Sequence, residues 1–182
     1  DHRLLWEGHQ FIPDLPNLFA QVEYVVGANF LFDLKFFYHL YKKWFKNVRD
    51  VILMARMVTN ATGSKFGAAH GHSLGDLCRD LLDIHLEGKG EELQGSDWGV
   101  PSSQRHLNNN YWYRKLDYAA GDTQHLLSIH DELHWVICNP LPQTPLIPNG
   151  TTDRENFGLG MRDAFEDEMN TIPVTAMMEY NG

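Results

Sequence analysis

The chain has 182 residues, an apolar share of 43% and a formal net charge of −9. That length suits one domain with a buried core. No apolar run approaches the roughly 18 residues of a membrane span, and the acidic balance excludes nucleic-acid binding driven by overall charge alone.

Arg3–Trp6 reads as a short strand. Asp14 suits an N-cap and Pro16 a first turn, which predicts a short helix through about Ala20. Val22–Gly27 is β-branched and aromatic, as in a buried α/β strand. Asp33 then opens an amphipathic helix with Leu34, Phe37, Leu40, Tyr41, Trp44 and Phe45 at helical spacing. Val51–Met57 is a second apolar stretch, and 59–72 reads as a loop. His70-Gly71-His72 within it is expected to be polar loop rather than a metal site, since no cysteine or third histidine is near.

Ser73-Leu74-Gly75-Asp76 resembles a capping box ahead of the stripe Leu74, Leu77, Cys78, Leu81 and Leu82. Residues 87–112 are polar and turn-rich, and the aromatics of Tyr111-Trp112-Tyr113 are expected to pack a loop onto the domain. A last helix is predicted from about Arg114 to Val136, with His130 and His134 on a solvated face. Five of the eight prolines follow Asn139. This divides the chain into a domain over 1–138 and an acidic, Pro-rich C-terminal extension over 139–182, with one short acidic helix near 160–170. The extension is expected to wrap a protein partner or the domain itself.

Cys78 and Cys138 make neither a disulfide framework nor a zinc site, and favour a reducing, intracellular compartment without naming an organelle. The first residues do not read as a signal peptide. The chain opens on Asp1, so a processed or longer polypeptide is expected. Charge is uneven. Residues 151–182 hold seven acids against two bases, whereas 35–49 hold Lys35, Lys42, Lys43, Lys46 and Arg49 with no acid between them. Such a basic face can bind phosphates on an acidic protein, or be merely solvated.

Two short stretches could present carboxylates to a metal. Tyr118 and Asp122 are four residues apart and would share a helix face. Asp33 follows a buried strand, and ligands of open α/β sheets bind beyond strand ends. Carboxylates converging there favour hard divalent cations such as Mg²⁺.

In this order, Asn29-Phe30-Leu31-Phe32-Asp33 and Tyr118-Ala119-Ala120-Gly121-Asp122 resemble the second and third motifs of the DEDD 3′–5′ exonucleases. The subfamily is the tyrosine one, with ribonuclease D and the Werner exonuclease domain. Val26-Gly27-Ala28-Asn29, the Leu74–Leu82 stripe and Ser96-Asp97-Trp98 also look like ribonuclease D. The resemblance covers about residues 11–136. It implies a ribonuclease H-like α/β fold, a mixed sheet flanked by helices. It implies hydrolysis from the 3′ end of single-stranded RNA or DNA, with RNA favoured, by two ions of Mg²⁺ or Mn²⁺. Asp33 and Asp122 would hold the metals and Tyr118 would orient the water. Asn29, Phe32, Lys35, Lys42, Lys43 and Lys46 are the candidate nucleic-acid contacts, and no membrane is expected.

The family's first motif, Asp-x-Glu on an opening strand, is not found in the chain. The N-terminal strands that carry it are expected outside these residues, along with the rest of the metal site. Two readings follow: an exonuclease domain completed from outside this chain, or an inactive exonuclease-like protein kept as a nucleic-acid-binding or scaffold subunit of a larger complex.

Overall fold

The computed structural model describes residues 15–62, 72–86, 109–139 and 154–181; for 60–62, 109–116 and 154–160 it describes the backbone alone. The predicted strand at Arg3–Trp6 lies outside them. In chain order the elements are α1 (Leu15–Gln21), β1 (Val25–Gly27), α2 (Phe30–Tyr41), β2 (Val48–Asp50), α3 (Val51–Thr62), α4 (Leu74–Leu82), α5 (Asn109–Gln124), α6 (Leu126–Cys138) and α7 (Arg154–Asn181).

The two strands pair in parallel, with Val25 opposite Val48 and Gly27 opposite Asp50. Parallel neighbours need a crossover, and α2 supplies it. The sheet of the described residues is therefore this βαβ unit, and the other described elements are helices. It is compatible with the expected α/β class, though narrower than a mixed sheet.

The unit is locked at one point. Asp50 ends β2 and is buried, with 6% of its surface exposed. Its Oδ2 accepts a hydrogen bond from the Phe30 amide at 2.7 Å. Its Oδ1 accepts from the amides of Asn29 at 3.3 Å, Ile52 at 2.9 Å and Leu53 at 3.2 Å. One carboxylate thus serves the exposed amides that open α2 and those that open α3. Asn29 stands at the usual cap position of α2, in the left-handed region at φ 56°, yet its side chain caps nothing. Space is tight here: a Cβ on Gly27 would lie 2.5 Å from the Phe30 ring, so the strand ends in the one residue that admits it.

The core joins α2, α3, α4, α6 and α7. Leu34, Met54, Leu77, Ile129, Leu133 and Phe165 are fully buried within one cluster. Its α4 share is held by the predicted capping box, in which the Ser73 hydroxyl accepts from the Asp76 amide at 3.2 Å and Asp76 accepts from the Ser73 amide at 3.2 Å.

Three expectations change. The last helix of the domain is two helices that meet at His125, and α5 begins at Asn109 within the stretch predicted as turn-rich. His130 is buried rather than solvated, at 2% exposure, with its ring 4.9 Å from Tyr24 and 5.5 Å from His134. The short acidic helix near 160–170 is a 28-residue helix. Its Met161, Phe165, Met169, Ile172 and Ala176 recur at helical spacing and join the core, against α2, α6 and β2. Pro173 lies inside it without ending it. Two acids of α7 pair with the basic stretch. Glu179 pairs with Lys35 at 2.8 Å, and Glu166 with Arg49 at 2.8 Å, whose guanidinium also lies 5.0 Å from the Phe165 ring.

Asp50→Ala removes the shared cap and leaves four amides short of a partner. Urea unfolding should show a loss of about 2–4 kcal/mol, against the ~1 kcal/mol of an ordinary single cap. A loss of under about 1 kcal/mol would mean that water replaces the carboxylate at one of the helices.

Candidate active site

A cleft of about 600 Å³ opens at the carboxyl end of β1, a volume in the usual range for small-ligand sites. Five chain regions line it, one of them the start of α3 through Ile52. The strand exit gives Val26, Gly27, Ala28 and Asn29. The first turn of α2 gives Asp33, the start of α4 gives His72, Ser73 and Leu74, and the junction of α5 and α6 gives Asp122, Thr123 and Leu126. The two motif carboxylates, far apart in sequence, therefore face one cavity.

Their positions follow from local structure. Asp33 sits in the first turn of α2, whose start Asp50 holds against the strand end. Asp122 sits in the last turn of α5, just before the chain bends at His125 into the buried α6. Asp33 opens to the cleft, but the surrounding walls remove part of its bulk water. This desolvation is the main reason that its pKa is raised; a hydrogen bond with its own backbone amide opposes the shift, and the negative charge of Asp50 adds to it. A carboxylate held at such a cost favours a nearby cation.

The other predicted residues are placed unevenly. Asn29 lines the cleft and is exposed. Phe32 is 56% exposed beside Asp33, with its ring 4.9 Å from that of Phe36. Tyr118 lies one turn before Asp122, half-buried, and is not a lining residue. None of the lysines lines the cleft. Lys35 is paired to Glu179, and Lys42, Lys43 and Lys46 lie exposed at and beyond the far end of α2, about 13 Å or more along the axis from Asp33 at ~1.5 Å per residue. His72 does line the cleft, although its sequence context marked it as polar loop. A histidine immediately before a capping box was the available signal, since the cap fixes where it stands.

Carboxylates from two helices at the carboxyl end of a parallel strand place the molecule among α/β proteins whose ligands bind beyond the sheet edge. A family model described as a 3′–5′ exonuclease matches residues 7–137. The match covers most of the chain, and the chain belongs to the 3′–5′ exonuclease domain family. No curated protein and no solved structure gives a significant match.

Domains of this family use divalent metal ions. Asp33 and Asp122 are hard oxygen donors facing one cavity, which suits such an ion completed by water and substrate phosphate. Among the described residues no group of three or more His, Cys, Asp or Glu stands close enough to hold an ion by itself. Among them, too, no helix is long and apolar enough to cross a membrane.

The raised Asp33 pKa has a consequence for stability. The folded state binds the Asp33 proton more tightly than the unfolded chain does, so ionising it costs stability as pH rises from the ordinary value of 3.8 through the raised folded value. Asp33→Asn should therefore raise the thermal midpoint at neutral pH, and the gain should vanish below pH 3.8. Equal midpoints for the two proteins at neutral pH would show that the cleft does not strain the carboxylate.

Proposed function

We propose that this domain is a metal-dependent 3′–5′ exonuclease that removes nucleotides from the 3′ end of a single strand. The observation that carries this reading is the meeting of Asp33 and Asp122 in one cleft at the strand end, in a chain of the exonuclease family. Asp33 and Asp122 would hold Mg²⁺ or Mn²⁺, two ions in the complete site. Tyr118, one turn before Asp122, would orient the attacking water. A divalent ion bound there supplies a water of lowered pKa and offsets the charge that builds on the phosphoryl oxygens. Asn29 lines the cleft and Phe32 stands exposed beside Asp33, and an exposed aromatic ring can stack on a base. RNA is the favoured substrate, supported by the resemblance of Val26–Asn29, Leu74–Leu82 and Ser96–Trp98 to ribonuclease D.

A second reading is favoured by one observation: apolar side chains, Val174 and Met178, stand exposed on α7. In that case the fold binds a nucleic acid or a protein partner without cutting, and the outer face of α7, where Val174 and Met178 are exposed, is the surface for the partner.

The two readings separate in a trimming assay. With Mg²⁺ or Mn²⁺ the full-length protein should shorten an end-labelled single strand from its 3′ end, RNA faster than DNA. Asp122→Ala should slow this at least about a hundredfold, the loss of several kcal/mol of metal-borne stabilisation, with the circular dichroism unchanged. Undiminished trimming sinks the role given to Asp122. Binding without trimming by the unaltered protein selects the second reading.

Lys42, Lys43 and Lys46 would guide the strand body rather than its end. Replacing all three with Ala should flatten the slope of log K against log[salt] for single strands by about 2, at ~0.7 for each phosphate no longer neutralised. An unchanged slope would mean that this surface is only solvated.

A further inference from the structure

A second cavity, of about 390 Å³, shares Asn29 and Ile52 with the cleft and is otherwise lined by different residues. It is bounded by the start of α2, the first turns of α3 and the middle of α7, and its volume suits a small ligand. Its two helical walls differ in chemistry. From α3 comes Arg56, an exposed cation with no ion pair among the described residues. From α7 come Glu168, Thr171 and Thr175. The Thr171 hydroxyl donates to the Glu168 carbonyl oxygen at 2.7 Å, and the Thr175 hydroxyl to the Thr171 carbonyl oxygen at 3.0 Å. A threonine hydroxyl has one proton, so both can only accept from a ligand. The α7 wall therefore offers acceptors alone: two hydroxyl oxygens and the Glu168 carboxylate. Asp50 also borders the cavity, but its oxygens already accept from four amides. Leu31, Leu53 and Ile172 add apolar surface.

A ligand that satisfies these walls brings an anion for Arg56, a donor-rich cation for the α7 acceptors and a short apolar body. One cation and one anion leave the walls balanced. A nucleotide phosphate would meet Arg56 but be repelled by Glu168, and a polyamine would meet Glu168 but be repelled by Arg56. We propose that this cavity binds a free α-amino acid with an aliphatic side chain. Its carboxylate lies on Arg56, since a guanidinium holds a carboxylate through two parallel hydrogen bonds. Its ammonium has three donors, which match Glu168, Thr171 and Thr175. Its side chain covers Leu31 and Ile172. The site does not depend on the exonuclease reading, although Asn29 and Ile52 place it next to the cleft.

The test titrates the full-length protein calorimetrically with three probes of one shape. These are L-leucine, 4-methylpentanoate, which lacks the amine, and isoamylamine, which lacks the carboxylate. Leucine should bind, and each of the others should bind at least about tenfold more weakly, the range of a lost charge-assisted hydrogen bond. Arg56→Gln should abolish the advantage of leucine over isoamylamine and keep that over 4-methylpentanoate. Glu168→Gln should do the reverse. Both side chains are exposed, so the fold should survive either change, with circular dichroism as the check. Leucine that binds no better than the two analogues overturns the proposal, as does the absence of heat with leucine at up to about 10 mM, well above the affinity of a weak small-ligand site. Variants that weaken all three probes alike also overturn it, since that is the mark of a structural role. AMP that binds in chelator, is lost in Arg56→Gln and is kept in Asp122→Ala overturns it in favour of a nucleotide in this cavity. Failure to trim a 3′ end bears on the exonuclease reading and leaves these ratios untouched.

Discussion

A single buried carboxylate holds the architecture together. Asp50 accepts hydrogen bonds from amides at the start of α2 and at the start of α3, while its own amide points to Met169 Sδ of α7 at 3.5 Å. Strand, two helices and the C-terminal helix therefore share one residue. A buried anion is costly unless it is fully hydrogen-bonded, and four amides at two positive helix ends meet that need. The direction in which α2 leaves the strand is fixed by the same bonds, and Asp33 rides on its first turn. The cleft thus inherits its geometry from a residue that contributes the carboxylate behind its wall rather than one in front of it.

Asp50 also acts at a distance on the site. Its charge adds to the desolvation that raises the Asp33 pKa. Stability and chemistry pull in opposite directions here: the capping anion is needed for the fold, and it makes the neighbouring carboxylate harder to ionise. A bound cation would relieve both sources of strain at once, since it replaces lost solvation and offsets the second charge. Functional sites commonly store strain that the surrounding fold supports.

Much of the skeleton was legible in the residues, for identifiable reasons. The β-branched run ending at Gly27 and the apolar spacing from Leu34 located β1 and α2, because burial period is a local property. Ser73 and Asp76 announced α4 because a capping box is made by residues three apart. Motif spacing singled out Asp33 and Asp122, and both line one cleft. What escaped depended on partners distant in sequence. Nothing near Asp50 says that it caps α2, since its partners Asn29 and Phe30 lie across a crossover. The burial of His130 comes from Tyr24 and the α6–α7 seam. The long α7 hid behind its acids and Pro173: its apolar positions do recur at helical spacing, but only the contacts with Arg49 and Lys35 reveal that Glu166 and Glu179 neutralise part of the basic stretch. His72 needed Thr59, whose hydroxyl, in another helix, lies 3.1 Å from its Nε2.

The position of α7 also bears on how the sheet can grow. An outward amide of β2, that of Asp50, is occupied by Met169, and Arg49 beside it is tied to Glu166. Unsatisfied strand edges invite further strands, and on the β2 side a helix has taken that place. Among the described residues no strand pairs with the other edge, that of β1. The sheet is thus one-sided in its capacity for extension: an added strand has to lie beside Val25–Gly27, whose carboxyl end forms the cleft wall. Any acidic side chains carried on such a strand would arrive next to Asp33 and Asp122 rather than on the far side of the molecule, so closure by α7 converts an open edge into a directional socket.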